Sequence, residues 1–203
     1  MFTHVGHVFY NAHSSSPIVL GDFAAMKRWP GSPDGPDGFV KFKSEKGAIF
    51  DLQLSSPDVF VEGSRALVLL APLRRTGWTL VERFGVTLFD LQAAMTANFA
   101  SIWHEDELEL PSGAVVVAIS YNATPEVGAD VSSVDPDRLG VPRLPVEVPV
   151  SPQYAGESEP PGAHEIAIVP LEPGRYRIRV GDLSVADAPV GRCTLDWVGP
   201  LSA

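Results

Sequence analysis

The chain has 203 residues, of which 45% are hydrophobic and 20% charged, and its formal net charge is −10. That hydrophobic content is enough for a folded core, and the length suits one large domain or two small ones. The N-terminus lacks a basic segment followed by a continuous apolar run, and no apolar run approaches the roughly 20 residues of a membrane-spanning helix. We therefore expect a cytoplasmic protein that makes no contact with membranes.

Charge is distributed unevenly along the chain. Residues 1–104 carry nine basic and nine acidic residues, whereas residues 105–203 carry six arginines and sixteen acidic residues. An excess of carboxylates opposes nucleic-acid binding, which depends on neutralising phosphates. The same excess suits a basic protein partner, although it also serves simply to keep a protein in solution.

The first third of the chain contains short apolar runs separated by turn residues. Phe2–Tyr10 predicts a strand, because its apolar residues lack helical spacing. Ile18–Leu20 is a short apolar run. Asp22 is a candidate cap for a brief helix that ends before Pro30. Phe39–Lys43 and Ala48–Leu54 then predict a β-hairpin.

The middle of the chain gives a less uniform pattern. Ala66–Leu70 is a continuous apolar run, typical of a strand buried on both faces. Trp78–Leu91 alternates loosely and predicts one or two further strands. Leu91–Trp103 is the best helix candidate in the sequence, although a pair of strands fits the same residues.

Two similar stretches organise the second half of the chain. Glu105–Asn122 and His164–Val180 each consist of a strand, a turn with proline and glycine, and a second strand. Their turn glycines, Gly113 and Gly174, are 61 residues apart. We expect each stretch to form a hairpin, and we expect a last strand near Cys193–Val198.

A long irregular segment, at about residues 123–162, separates the two stretches. Six prolines lie between Pro142 and Pro161, and proline is excluded from central strands because it lacks a backbone donor. Frequent turns among short strands predict a mainly β fold. We expect a single-domain β-sandwich over residues 1–203, with one or two short helices and this long proline-rich loop.

Catalytic and metal-binding motifs find little support. His4 and His7 are three residues apart, so a strand places their side chains on opposite faces. A metal site would need His104 or His164 to arrive from elsewhere in the chain. Cys193 is the only cysteine, which excludes an intramolecular disulfide and a cysteine-only metal site. No nucleophile elbow or nucleotide-binding loop occurs, so we predict no catalytic residue, no metal and no cofactor.

Two charged stripes are the candidate partner-binding residues. Arg175, Arg177 and Arg179 share one strand face, and arginine binds carboxylates through two parallel hydrogen bonds. The densest acidic run, just before the first turn, is the second stripe. It consists of Glu105, Asp106, Glu107 and Glu109. A solvated strand face would show the same residues without any function.

The segment Leu171–Val180, LEPGRYRIRV, resembles the L-x-P-G-x-Y strand hairpin of bacterial immunity proteins from polymorphic toxin systems. It is similar also to the competence-associated nuclease inhibitors, which are small, acidic and rich in β-structure. The Phe9-Tyr10 strand and the turn at residues 108–113 fit the same plan. This resemblance implies a non-enzymatic cytosolic inhibitor of a toxin or nuclease.

Together these observations favour a non-enzymatic protein-binding module, an immunity or inhibitor protein that neutralises a basic toxin or nuclease through its acidic surface. Two alternatives stay open. One is a β-sandwich that binds a small ligand or metal, as an enzyme or otherwise, and the other is a structural or assembly protein with a proline-rich arm.

Overall fold

The computed structural model of the chain describes slightly more than half of its residues. These are residues 2–8, 18–26, 41–44, 47–52, 54, 57–72, 94–119, 163–164, 166–185 and 188–202. The predicted strands over Trp78–Leu91 and the proline-rich segment at about 123–162 lie outside the described residues.

The described elements are almost all strands. They are β1 (Thr3–Val8), β2 (Ile18–Asp22), α1 (Phe23–Met26), β3 (Lys41–Ser44), β4 (Gly47–Asp51), β5 (Asp58–Glu62), β6 (Ala66–Pro72), β7 (Ser101–Leu110), β8 (Ala114–Ile119), β9 (Ala163–His164), β10 (Ile166–Pro170), β11 (Gly174–Val185) and β12 (Ala188–Gly199). No helix within these ranges is both long enough and apolar enough to cross a membrane.

The strands form two sheets. The larger sheet has seven strands in the order β7-β11-β12-β6-β5-β1-β9, and the smaller has five in the order β10-β8-β2-β4-β3. Neighbouring strands are antiparallel, apart from the parallel pair β1 and β9. The mainly β class that the turn-rich sequence predicted is therefore confirmed.

The core lies between the inner faces of the two sheets. Leu67 and Leu69 of β6, together with Ile178 of β11, come from the larger sheet, while Val115 and Val117 of β8 come from the smaller. All five are fully buried. Side chains alternate between the two faces of a strand, so their intervening neighbours point to the outer face of each sheet. This arrangement is the predicted β-sandwich.

The first half of the chain follows its predicted pattern closely. β3 and β4 form the expected hairpin, paired from Lys41 with Phe50 to Ser44 with Gly47. Asp22 caps α1, because its Oδ1 accepts hydrogen bonds from the backbone N–H groups of Ala24 (2.8 Å) and Ala25 (3.2 Å). Such a cap satisfies donors that have no partner inside the helix.

The helix predicted over Leu91–Trp103 is wrong over its last residues. A helical turn covers residues 94–96, but β7 already begins at Ser101. The alanines and methionine at helical spacing favoured one helix through the whole segment. Pairing of β7 with β11 overrides this local preference, because it satisfies the backbone N–H and C=O groups of β7 that face β11.

The two turn-centred stretches are not hairpins, and this part of the prediction is wrong. β7 belongs to the larger sheet and β8 to the smaller, while β10 belongs to the smaller and β11 to the larger. Each turn therefore connects one sheet to the other as an arch. The inward leucines Leu108 and Leu110 face the valines of β8 across the core. A hairpin would have placed all of these side chains in a single sheet.

The two arches nevertheless stack on one another, as their similar sequences suggest. β7 pairs with β11, and β8 pairs with β10. The Leu171 N–H donates a 2.9 Å hydrogen bond to the carbonyl of Gly113. Gly113 has a φ of +69°, and a Cβ there would lie 3.1 Å from Cγ of Pro173. Glycine is therefore required by both its backbone angle and its neighbour.

Two buried polar groups fasten the arches to the rest of the sandwich. Asp22 Oδ2 accepts hydrogen bonds from the N–H (3.0 Å) and the hydroxyl (2.5 Å) of Ser112. The hydroxyl of Tyr176 donates to the carbonyl of Glu172 at 2.6 Å, and the carbonyl of Ser64 lies 3.3 Å from it. Burial, followed by the nearby charge of Glu172, raises the pKa of Tyr176 to about 12.

Candidate functional site: a charge ladder and an arginine cavity on the outer sheet face

The predicted charged stripes lie side by side on the outer face of the seven-stranded sheet. Arg175 is paired with Glu109, and Arg177 is paired with Glu107. The next pair toward the other end of the strands is Arg179 with Glu105. We call these six residues the charge ladder. The arginines share one strand face as predicted, but the sequence did not predict that the acidic row is their neighbour.

Within the charge ladder the ion pairs are few and exposed. Arg177 Nε lies 3.8 Å from Glu105 Oε1, and both side chains are about half exposed. Arg175 Nε instead donates to the carbonyl of Pro200 at 3.3 Å. Exposed pairs of this kind stabilise a fold by only about 0–1 kcal/mol. The ladder is thus close to neutral as a unit, and its charges remain accessible.

Asp106 does not belong to the charge ladder. It is paired with Ile178. Because side chains alternate along a strand, Asp106 belongs to the inner face with Leu108 and not to the outer face with Glu107. Its Oδ1 accepts a 2.7 Å hydrogen bond from the Glu107 N–H. Of the seven predicted partner-binding residues, the structure brings six together on one face and places this one apart.

Two exposed apolar side chains precede the acidic row. Ile102 is 47% exposed and Trp103 is 41% exposed. The register of β7 against β11 shifts here, since Val180 is paired with His104 but Gly181 is paired with Ile102. Trp103 is the extra residue of this β-bulge. Bulges redirect side chains and occur often beside binding sites.

The chain that precedes β7 crosses the outer face of the sheet, and Gly181 permits this close approach. A Cβ on Gly181 would overlap the carbonyl oxygen of Ser101 and would lie 2.9 Å from Cδ1 of Phe99. The Ala100 N–H donates to the carbonyl of Asp182 at 2.8 Å. Residues 94–101 are thereby held against the sheet.

This crossing encloses a cavity of about 420 Å³ on the outer sheet face. Its apolar lining comes from three parts of the chain: Val68 of the sheet, Met95 and Phe99 of the crossing segment, and Phe2 and Ile102 beside them. Small-molecule sites usually have volumes of about 300–1,000 Å³ and mostly apolar walls with a few polar groups. The cavity has a volume in this range, and its accessible lining is more polar than that of most such sites.

The charged residues of the cavity lie on β11 and β12, while Thr96 and Asn98 of the crossing segment add polar groups. From the two strands, the cavity is lined by Arg179, Arg192, Thr194 and Asp196. Arg179 Nη2 donates to Asp196 Oδ2 at 2.6 Å, and the Thr194 hydroxyl lies 3.3 Å from the same oxygen. Arg192 lies under the ring of Phe99, with its guanidinium carbon 3.9 Å from the ring centroid. The site therefore combines two cations, one carboxylate and an aromatic wall.

Arg192 is an unusual residue for this position, because only 3% of it is exposed. Its Nη1 donates to the carbonyl of Ala94 at 2.6 Å. Its Nε has no hydrogen-bond partner among the described residues, and neither does the buried Nε of Arg179. Burial, and then the neighbouring charge of Arg179, lowers the pKa of Arg192. Buried polar groups are usually satisfied, and both of these unpartnered nitrogens belong to residues that line the cavity.

Two of the histidines, His4 and His104, lie far apart in the larger sheet. His104 lies on β7 and His4 on β1, five strands away in the larger sheet, which is about 24 Å at the usual strand spacing. The backbones of β1 and β9 place His7 and His164 on neighbouring strands. Within the described residues no group of three histidine, cysteine or acidic side chains could hold a metal ion.

Cys193 lies on the inner face of β12 and is fully buried. Burial raises the pKa of its thiol, which disfavours the reactive thiolate. Its position agrees with the strand predicted for the end of the chain.

Sequence reasoning did not identify Arg192, the residue on which the cavity most depends. Val190, Arg192, Thr194 and Asp196 alternate along β12, so a strand pattern places them on one face. That pattern could have indicated an outward arginine. Its proximity to Arg179 depends on the pairing of β11 with β12, in which Arg179 is paired with Thr194.

The fold and the site together define a β-sandwich with a charged outer face and an arginine-lined cavity. No family model, curated protein or solved structure matches the chain in the three comparisons. The functional argument therefore depends on the geometry of the chain itself.

Proposed function

We propose that this protein is a non-enzymatic binding module that holds a basic protein partner on the β7 edge of its larger sheet. The observation that carries the proposal is the composition of that edge: Ile102 and Trp103 are exposed next to the accessible glutamates 105, 107 and 109. Protein interfaces commonly combine a few aromatic or apolar anchors with a polar rim.

The net charge of the protein and its charge ladder act on a basic partner at different distances. The net charge of −10 attracts a basic partner over long distances and raises its association rate at low salt. The charge ladder contributes little to this attraction, because its two rows cancel at a distance. At contact, the glutamates of β7 bind lysines or arginines of the partner. The arginines of β11, on the neighbouring strand, orient these carboxylates.

An inhibitor or immunity role fits this chemistry, since toxins and nucleases that act on nucleic acid present basic clefts. An acidic strand edge with an exposed tryptophan is a suitable shape for occupying such a cleft. The support for this role is the surface chemistry together with the resemblance of the segment Leu171–Val180.

The partner can be captured with a photo-crosslinking amino acid placed at position 103 in cells. Val198 is a matched control position, because it is also 41% exposed and lies roughly 20 Å away, at the opposite end of the sheet. We expect one specific adduct from position 103 and none from position 198. Equal adducts from both positions would contradict the proposal.

The captured partner is then purified and its affinity measured at two salt concentrations. Trp103→Ala should weaken binding by about 30-fold or more, as loss of a central aromatic anchor does. Glu105→Gln, Glu107→Gln and Glu109→Gln in one variant should reduce the salt dependence, whereas Val198→Ala should change neither quantity. An unchanged affinity and salt dependence in the triple variant would show that the acidic row is not the partner surface.

A further inference from the structure

We propose that the cavity over β11 and β12 is a binding site for a carboxylate attached to an apolar group. The site differs from the partner surface of β7, although Ile102 borders both and Arg179 belongs to both the charge ladder and the cavity lining. Its existence does not depend on the partner protein, and the two proposals can fail separately.

The first argument is the supply of hydrogen-bond donors. A guanidinium has five N–H donors in a fixed fork. Arg179 uses one of them on Asp196, and Arg192 uses one on the carbonyl of Ala94. The Nε atoms of both arginines are buried without a partner in the described part of the chain. An acceptor with two oxygens, placed between the arginines, would satisfy both nitrogens.

The second argument is the charge balance of the lining. Two arginines and one aspartate are its charged residues, and 2 − 1 leaves one positive charge. A monoanion would bring the cavity to neutrality, whereas a phosphate dianion would leave an excess negative charge. A planar carboxylate also matches the arginine fork better than a tetrahedral group when both oxygens bind one fork.

The third argument is the apolar wall opposite the arginines. The large apolar residues of the lining are Phe2, Val68, Met95, Phe99 and Ile102. A small hydrophilic anion such as acetate would leave these side chains without a contact. An aromatic or branched aliphatic body would bury them, and the hydrophobic effect would then add to the ionic hydrogen bonds.

Such a carboxylate has two possible sources, a free organic acid or the C-terminal residue of a polypeptide. Both present the same chemistry to the arginines. The following experiment therefore uses a free acid first and then a peptide with and without its terminal charge.

The test is calorimetric titration of the full-length protein with 3-phenylpropanoate and with its neutral amide, 3-phenylpropanamide. We expect the acid to bind and the amide to bind roughly 10- to 100-fold more weakly, the loss typical of a hydrogen bond to a charged group. Inorganic phosphate should bind more weakly than the acid. Equal affinities for acid and amide, or no binding of the acid, would overturn the proposal without any variant being made.

Variants then test whether the acid binds at Arg179 and Arg192. Arg179→Met and Arg192→Met should each weaken binding of the acid by about tenfold or more. Arg177→Met is the matched control, because Arg177 lies on the same strand face but does not line the cavity, and it should bind as the wild type does. If Arg192→Met does not fold, the partly exposed Arg179 still tests the site. A loss of binding in Arg177→Met as large as in Arg179→Met would refute the assignment.

A tetrapeptide that ends in phenylalanine distinguishes the sources. If the free peptide binds more tightly than 3-phenylpropanoate and its amidated form does not bind, the natural ligand is a chain terminus. If 3-phenylpropanoate binds more tightly than the peptide, the natural ligand is a free organic acid. Both results support the carboxylate site, and binding of both peptide forms with the same affinity opposes it.

Discussion

Asp22 and Tyr176 at the arch end of the sandwich differ from the two cavity arginines in how their buried polar atoms are satisfied. At the arch end, both oxygens of Asp22 accept hydrogen bonds, and the hydroxyl of Tyr176 donates to a carbonyl. In the cavity, the Nε atoms of Arg179 and Arg192 are buried and have no partner within the described residues.

This difference separates structure from binding. A fully satisfied polar network stabilises one arrangement of the chain, and removal of one member leaves the others unsatisfied. An incompletely satisfied cation contributes little to stability, because its desolvation opposes the gain from its contacts. Its free donors remain available for a ligand. We therefore expect substitutions in the two regions to affect different properties.

The largest effect on stability is expected for Asp22→Ala. The substitution removes the cap of α1 and leaves the N–H and hydroxyl of Ser112 without their acceptor. Loss of a helix cap and of buried hydrogen bonds should together lower the free energy of unfolding by about 2–4 kcal/mol. Urea denaturation measures this value. Ser112→Ala is the control and should cost about 1 kcal/mol, because it retains the cap.

The next effect is expected for Gly181→Ala, which tests the close approach of the crossing segment to the sheet. The new methyl group would overlap the Ser101 carbonyl, so the crossing segment must move away from the sheet. Overpacking of this kind should lower the free energy of unfolding by about 1–3 kcal/mol, and we expect acid binding in the cavity to be lost as well. Gly63→Ala is a useful comparison, since a Cβ there meets no atom within 4 Å. Gly63→Ala should lower the free energy of unfolding only through the strained backbone angle, and it should leave acid binding unchanged.

A smaller effect is expected for Tyr176→Phe, and it should depend on pH. The hydroxyl bond to the Glu172 carbonyl should contribute about 1 kcal/mol at neutral pH. The pKa of Tyr176 is about 12 in the folded protein, above its usual value near 10. The stabilisation from the protonated hydroxyl is therefore complete below pH 10 and is lost as the pH rises through 12. In urea titrations at increasing alkaline pH, the difference in free energy of unfolding between the wild type and Tyr176→Phe should shrink. A difference that stays constant with pH would contradict this.

The smallest effect on stability is expected for Arg192→Met. It removes a buried charge of lowered pKa, at the loss of one hydrogen bond and of the stacking on Phe99. Burial of a charge has a desolvation cost, which an apolar side chain of similar size removes together with these contacts. The free energy of unfolding should thus change by less than about 1 kcal/mol. A loss comparable to that of Asp22→Ala would mean that Arg192 serves the fold.

Much of the fold could be predicted from local patterns. The apolar run Ala66–Leu70, the cap at Asp22 and the hairpin of β3 and β4 each depend on neighbours in the sequence. Local patterns could not predict that the two turns connect different sheets as arches. Proline and glycine specify a reversal of direction, but they do not specify whether the next strand pairs with the last one or crosses the core. That choice depends on which distant strand each partner joins, as β7 joins β11.

The candidate site was predictable in its residue types but not in its assembly. The outward arginines of β11 and the glutamates of β7 follow from simple alternation. The pairing that makes them neighbours depends on register, and so does the contact of Arg179 with the strand that contains Arg192. Gly181 has no sequence signal beyond being a glycine, yet it permits the segment that encloses the cavity.

The most direct test of this account is the rise in melting temperature caused by a saturating concentration of 3-phenylpropanoate, measured in three proteins. A ligand that binds only the folded state stabilises it in proportion to the logarithm of its concentration. We predict that the wild type and Asp22→Ala show equal rises from different starting temperatures, and that Arg192→Met starts near the wild type and shows no rise. A normal rise in Arg192→Met, or its absence in a folded Asp22→Ala protein, would contradict the division between a structural arch end and a binding cavity.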